Sequence, residues 1–233
     1  MSDDRRLLVA NLGLTPYEEA LTLQREIARA RISAAIDQDV LLLVEHPPVV
    51  TLGRSTKNKN LIASPELLRA NGVERFEVER GGDVTFHGPG QLVGYPIIDL
   101  KRHTRDLHWY LRQVEEALIR SLATFGLAAE RSTGYTGVWT SGRKIASIGV
   151  HARDWVTWHG FALNVSTELR YFDLIVPCGI DGVVMTSASR ELGVDVAMPA
   201  MAAAVTRAFG DVFSLEPVPV SRAALEHAPG AAV

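Results

Sequence analysis

One cysteine, Cys178, is all that 233 residues contain. A single thiol cannot close an internal disulfide, so a bridged scaffold is excluded, packing must supply the stability, and a reducing compartment is implied. Long apolar runs are missing as well. None approaches the roughly 18 residues needed to span a bilayer, and the charged start at 1–6 lacks the apolar region of a secretion signal. These absences predict a soluble, cytoplasmic protein with no membrane partner. Blocks of like charge are absent and the net charge is −3, which gives no general attraction to nucleic acid. The small basic cluster of Arg54, Lys57 and Lys59 reads as a solvated loop. Metal-ligand spacing is lacking too: His151 and His159 have no cysteine pair to complete a site, and neither metal nor cofactor is expected.

What is present suffices for one globular core, with 47% hydrophobic and 22% charged residues. Thr15, Pro16 and Glu18 have the form of a helix start, with Thr15 as cap. Ala20, Leu23, Ile27, Ala30 and Ala34 then recur at helical spacing to about Ile36. Apolar runs at 40–44 and 49–52, parted by Pro47-Pro48, read as strands, and so do 76–79, 84–86 and 91–98. Leu107, Leu111, Val114, Leu118, Leu122 and Phe125 predict a helix over 106–125, with Gly126 as a left-handed cap. Strands are expected at 137–139, 144–150 and 158–165, and a helix at 200–209, before Gly210. The fold class is α+β: a single domain with a mixed, mostly antiparallel sheet packed by helices. Residues 1–222 form the domain, and 223–233 are expected to be a flexible tail.

Three constellations could carry chemistry. In Arg80-Gly81-Gly82-Asp83-Val84-Thr85-Phe86-His87-Gly88-Pro89-Gly90-Gln91, four glycines bring bare backbone close to whatever sits above, and Arg80 and His87 stand ready as donors. On spacing alone the same glycines read equally well as two tight turns. Lys144 opens the strand-like run Lys144-Ile145-Ala146-Ser147-Ile148-Gly149. Burial disfavours the charged form of a lysine and so suits it to proton exchange, yet without a partner an ordinary surface lysine is the simpler reading. Around Cys178, in Ile175-Val176-Pro177-Cys178-Gly179-Ile180, the Pro-Cys-Gly order allows a sharp turn that would present sulfur to a cavity, with the Gly179 N–H as a candidate oxyanion donor. A lone cysteine is more often a small buried hydrophobe.

Taken together with His159-Gly160-Phe161-Ala162-Leu163-Asn164, these segments resemble the lipoyl(octanoyl) transferases, in the family's order, from about residue 40 to 192. The resemblance implies the fold of the biotin and lipoate-protein ligases. It implies transfer of an octanoyl or lipoyl group from octanoyl-acyl carrier protein to the target lysine of lipoyl domains, in 2-oxoacid dehydrogenases and the glycine cleavage H protein. Cys178 would be the nucleophile forming an acyl-thioester, and Lys144 its acid and base. Substrate contacts would fall on Arg80, Gly81, Gly82, Asp83, Val84, Thr85, Phe86 and His87, on Ser147, Ile148 and Gly149, and on Gly160, Phe161 and Ala162. Val84, Phe86 and Ile148 are the expected walls of an acyl slot, and a monomer is expected. The alternatives are an ATP-dependent lipoate or biotin ligase, which has no need of Cys178; a non-catalytic carrier-binding module; and a Cys-His thioesterase using His87 or His159.

Overall fold

The computed structural model describes residues 5–57, 60–180 and 182–226. The chain opens with a strand, β1 (Arg6–Leu14), that runs into helix α1 (Tyr17–Ile32). Thr15 does not cap this helix. Its hydroxyl donates to the Leu12 carbonyl at 2.8 Å and its amide to Glu45 O at 2.9 Å, so α1 starts from Pro16 with no side-chain cap. The helix also stops at Ile32, short of the expected Ile36. Ala34 turns left-handed at φ +60°, and the amides of Ala35 and Ile36 both return to the Ala30 carbonyl.

Next come β2 (Asp39–Glu45), β3 (Val49–Leu52), α2 (Pro65–Ala70), β4 (Glu74–Glu77), β5 (Val84–His87) and β6 (Gln91–Ile97). Helix α3 (Leu107–Ala123) is capped by Asp106, whose carboxylate accepts from the His108 and Trp109 amides, and Gly126 takes the expected left-handed turn at φ +77°. There follow β7 (Val138–Thr140), β8 (Arg143–Arg153), β9 (Val156–Asn164), α4 (Ala188–Leu192), α5 (Met198–Phe213), β10 (Glu216–Pro219) and α6 (Arg222–Glu226). Gly210 does not end α5 as expected but lies inside it, where an added Cβ would come within 2.7 Å of Pro217. Residues 223–226, assigned to a flexible tail from sequence, are helical, with Leu225 buried against the α1 side of the sheet. The remainder of that tail, and Lys59, lie outside the described residues.

Seven strands form the main sheet in the order β10-β1-β2-β6-β9-β8-β7, parallel across β10-β1-β2 and antiparallel from there on. Its two faces explain the continuous apolar run of β2. Val40, Leu42 and Val44 pack with Leu23 and Ile27 of α1, while Leu41 and Leu43 pack with Val114, Leu118, Val205 and Phe209 of α3 and α5. A second sheet of three strands, β4-β3-β5, was not foreseen. It carries the glycine-rich 80–90 segment and has its own core around Val50, Leu68, Val84, Phe86 and Phe172. Among the described residues no helix is long and apolar enough to cross a membrane.

Candidate active site

Lys144 and Cys178 are far apart in sequence, and backbone pairing brings them together. The Lys144 amide donates to Val184 O at 2.8 Å and its carbonyl accepts from Thr186 N at 2.9 Å, so the segment just after the cysteine turn is stitched to the start of β8. The segment before the turn is held by Val176 N, which donates to Asn60 O at 2.7 Å. Between these anchors Cys178 adopts a left-handed conformation, φ +56° and ψ 16°, uncommon for a residue with a Cβ. The turn puts Lys144 Nζ 3.3 Å from Cys178 Sγ, with Ser147 Oγ 3.6 Å from the same sulfur.

Lys144 is 1% exposed although it carries an amine. Its Nζ also donates to the Thr136 carbonyl at 3.4 Å and lies 4.8 Å from the centre of the Trp139 ring, a cation–π contact. Among the described residues no group of acids, histidines and cysteine could hold a metal ion.

A cavity of about 380 Å³ opens beside the pair. Arg80, Gly81, Gly82, Asp83, Thr85, His87, Ser147, Ile148, Gly149, Gly160, Phe161 and Ala162, all expected from sequence, line it. Val84 and Phe86 do not. On β5 side chains alternate, so Thr85 and His87 face the cavity while Val84 and Phe86 point into the core of the small sheet, where Phe86 stacks on Tyr171 at 4.8 Å. The cavity floor crosses strands: Ser147 of β8 pairs with Ala162 of β9, which pairs with Val93 of β6. At the far side stand Tyr95 and Tyr17, of which sequence reading did not connect Tyr17 to the site. Their rings pack with buried His46 and His87, and His46 Nε2 lies 2.6 Å from Tyr95 Oη. Burial pushes His46 down to about 4 and His87 down to about 3, the latter helped by His46 and Arg80 nearby, so both rings are neutral at physiological pH.

Three expected donors are spent on the scaffold. The Gly179 N–H donates to Val176 O at 3.0 Å, closing the turn, and so is not turned on an oxyanion as anticipated. Arg80 donates to Thr51 O at 2.8 Å and to Gly81 O at 3.1 Å, and His87 Nδ1 bonds Gln91 Oε1 at 2.8 Å. These bonds fix the loop and leave its bare backbone facing the cavity. Gly179 itself is needed for space. At φ +64°, an added Cβ would lie 2.4 Å from Asp83 Oδ2, which accepts from Asn60 Nδ2 at 2.5 Å. Asn60 was missed from sequence because nothing in its neighbours marks it.

Residues 16–210 match the lipoyl protein ligase A/B catalytic domain family. The chain is 53% identical to an octanoyltransferase of Rubrobacter xylanophilus, over 86% of this chain and 90% of that one. It is 48% identical to an octanoyltransferase of Gloeobacter violaceus, over 88% and 91%. In fold it is similar to a lipoate-protein ligase A solved with ATP, at a TM-score of 0.74 and 18% identity over 94% of this chain and 89% of that one. A biotin protein ligase of Aquifex aeolicus is similar at a TM-score of 0.54 and 11% identity, over 90% and 71%.

Proposed function

The chain belongs to the family of lipoyl protein ligase A/B catalytic domains, and on that premise we propose that it holds an octanoyl group as a thioester on Cys178. The group would come from acyl carrier protein and pass to the lysine of a lipoyl domain, as in 2-oxoacid dehydrogenases or the glycine cleavage H protein. The chain is an acyltransferase of protein lipoylation that moves octanoyl groups. The 3.3 Å between Lys144 Nζ and Cys178 Sγ carries the thioester reading.

The thiol gives its proton to the Lys144 amine, and the resulting thiolate attacks the carbonyl carbon of the donor thioester. That attack forms the C–S bond to Cys178 and a tetrahedral oxyanion; when the oxyanion collapses, the C–S bond to the donor breaks and the leaving thiolate takes the proton from the Lys144 ammonium. The acceptor lysine amine then attacks the acyl carbon. Lys144, having passed on its first proton, takes one from that amine and returns it to the departing Cys178 sulfur. Thioester exchange is near balance and amide formation runs downhill, so no nucleotide is consumed.

The floor row Ser147, Ala162, Val93 spans two interstrand spacings, about 10 Å. An extended eight-carbon chain, advancing roughly 1.3 Å per bond, needs about 9 Å. The cavity beside Cys178 therefore suits an octanoyl group lying across the strands, with its methyl end toward Tyr17 and Tyr95.

The test is to incubate the protein with octanoyl-acyl carrier protein, without nucleotide, and weigh it intact. An octanoyl adduct is expected on the wild type and absent from Cys178→Ser. No adduct without ATP, together with modification of a lipoyl domain from free octanoate and ATP, would establish the ligase reading in its place.

A further inference from the structure

Helix α3 contributes a carboxylate that the transfer chemistry does not touch. Glu115 is wholly buried on the face turned toward β7. One of its oxygens, Oε2, accepts from Arg112 at 2.6 Å and Arg131 at 3.1 Å, while Oε1 accepts from the backbone amide of Gly137 at 3.0 Å. Ion pairs alone would explain the first oxygen; the second reaches past them into a hairpin. That hairpin, 131–138, is closed at its base by reciprocal Glu130–Trp139 backbone bonds. It is mostly exposed until Thr136 and Gly137 dip inward. Thr136 gives its carbonyl to Lys144 Nζ. Gly137, at φ +140°, lies so close to the lysine stem that an added Cβ would come within 2.9 Å of Lys144 Cε and 2.6 Å of Ala146 O.

We infer that Glu115 is the positioning residue for Lys144: by holding the Gly137 amide it sets the Thr136–Gly137 backbone against the lysine, and so fixes Nζ at the Cys178 sulfur. The inference rests on the proposed role of Lys144. A buried lysine has four rotatable side-chain bonds, and the contacts that select one conformation are the Thr136 carbonyl, the Trp139 ring and the thiol itself. The hairpin supplies the first of these. Without the Glu115 anchor the hairpin keeps its base pairing, the bonds of Arg131 to the Arg112 carbonyl and to Glu116, and the Tyr135–Trp139 ring contact, none of which grips the Gly137 amide.

Two substitutions separate reach from charge. Glu115→Gln keeps an oxygen for the Gly137 amide and discards the charge shared with the arginines. Glu115→Asp keeps the charge and draws the acceptor back by one methylene. Positioning predicts that the Asp variant loses about tenfold or more in kcat, at near-wild-type KM for both protein substrates, while the Gln variant stays within about threefold. It also predicts that the pH dependence of Cys178 alkylation moves to higher pH in Asp and stays put in Gln. The opposite order, or equal losses that follow the fall in Tm with unchanged alkylation profiles, would make Glu115 a purely structural ion-pair centre and overturn the inference. Lys144→Ala is the separate control: if it leaves transfer intact, the mechanism itself is wrong, whereas a dead Lys144→Ala beside an unaffected Glu115→Asp refutes only the positioning role.

Discussion

At the scale of single residues, the site depends on how little room surrounds Cys178. A methyl at Gly179 would meet Asp83 Oδ2 at 2.4 Å and would also sit in left-handed backbone. Gly179→Ala is therefore expected to displace the turn and cut octanoyl transfer at least about tenfold, with stability lowered by roughly 1–3 kcal/mol. Intact-mass acylation rates and urea unfolding would check both parts. Cys178 and Lys144 were legible in the sequence only through the company they keep. Alone, each had a blander reading, and the hydrogen bonds of Lys144 with residues 184–186 that join them leave no local signature. The oxyanion role given to the Gly179 N–H failed for a related reason: the turn that exposes the thiol uses that N–H to close itself.

Elements repeat the lesson with different physics. Helix α3 was readable nearly to its ends because its cap, its apolar spacing and its terminal glycine agree. The limits of α1 were not, since Pro16 and left-handed Ala34 replace the residues usually found at those positions. Strands β1 and β10 are joined only by long-range parallel pairing, for which a sequence offers no turn signal. Parity on β5 decided between Val84 and Phe86 on one side and Thr85 and His87 on the other, and a glycine-rich approach hides the phase of a short strand. The row Ser147, Ala162, Val93 yields a prediction at this scale. Ala162→Leu would place a larger side chain midway along the acyl slot, and the preferred donor should shift from octanoyl toward butanoyl. Competition between donors of different length, read by mass on Cys178, would reveal it; an unchanged octanoyl preference would put the chain elsewhere in the cavity.

For the molecule as a whole, the neutral histidines in and behind the cavity wall couple the fold to pH. His46 and His87 have folded-state values pushed below the ordinary 6.5, to about 4 and about 3. Above about pH 6.5 they are neutral whether the chain is folded or not, and contribute no pH dependence. Below it the unfolded chain takes up protons that the folded one refuses. Stability should fall by roughly 1 kcal/mol or more per pH unit from each ring until the folded values are reached. Urea midpoints between pH 7 and 4.5 should drop steeply in the wild type and less so in His46→Gln; equal slopes would count against this origin. The left-handed backbone at Cys178 has a consequence of another kind. Asparagine accepts that conformation more readily than cysteine does, so Cys178→Asn should melt at or above the wild-type temperature while transferring nothing. A lower Tm would mean the turn holds no such strain. Heat endurance and catalysis would then be opposed at a single position, and a selection for thermal survival alone would be expected to discard the thiol first.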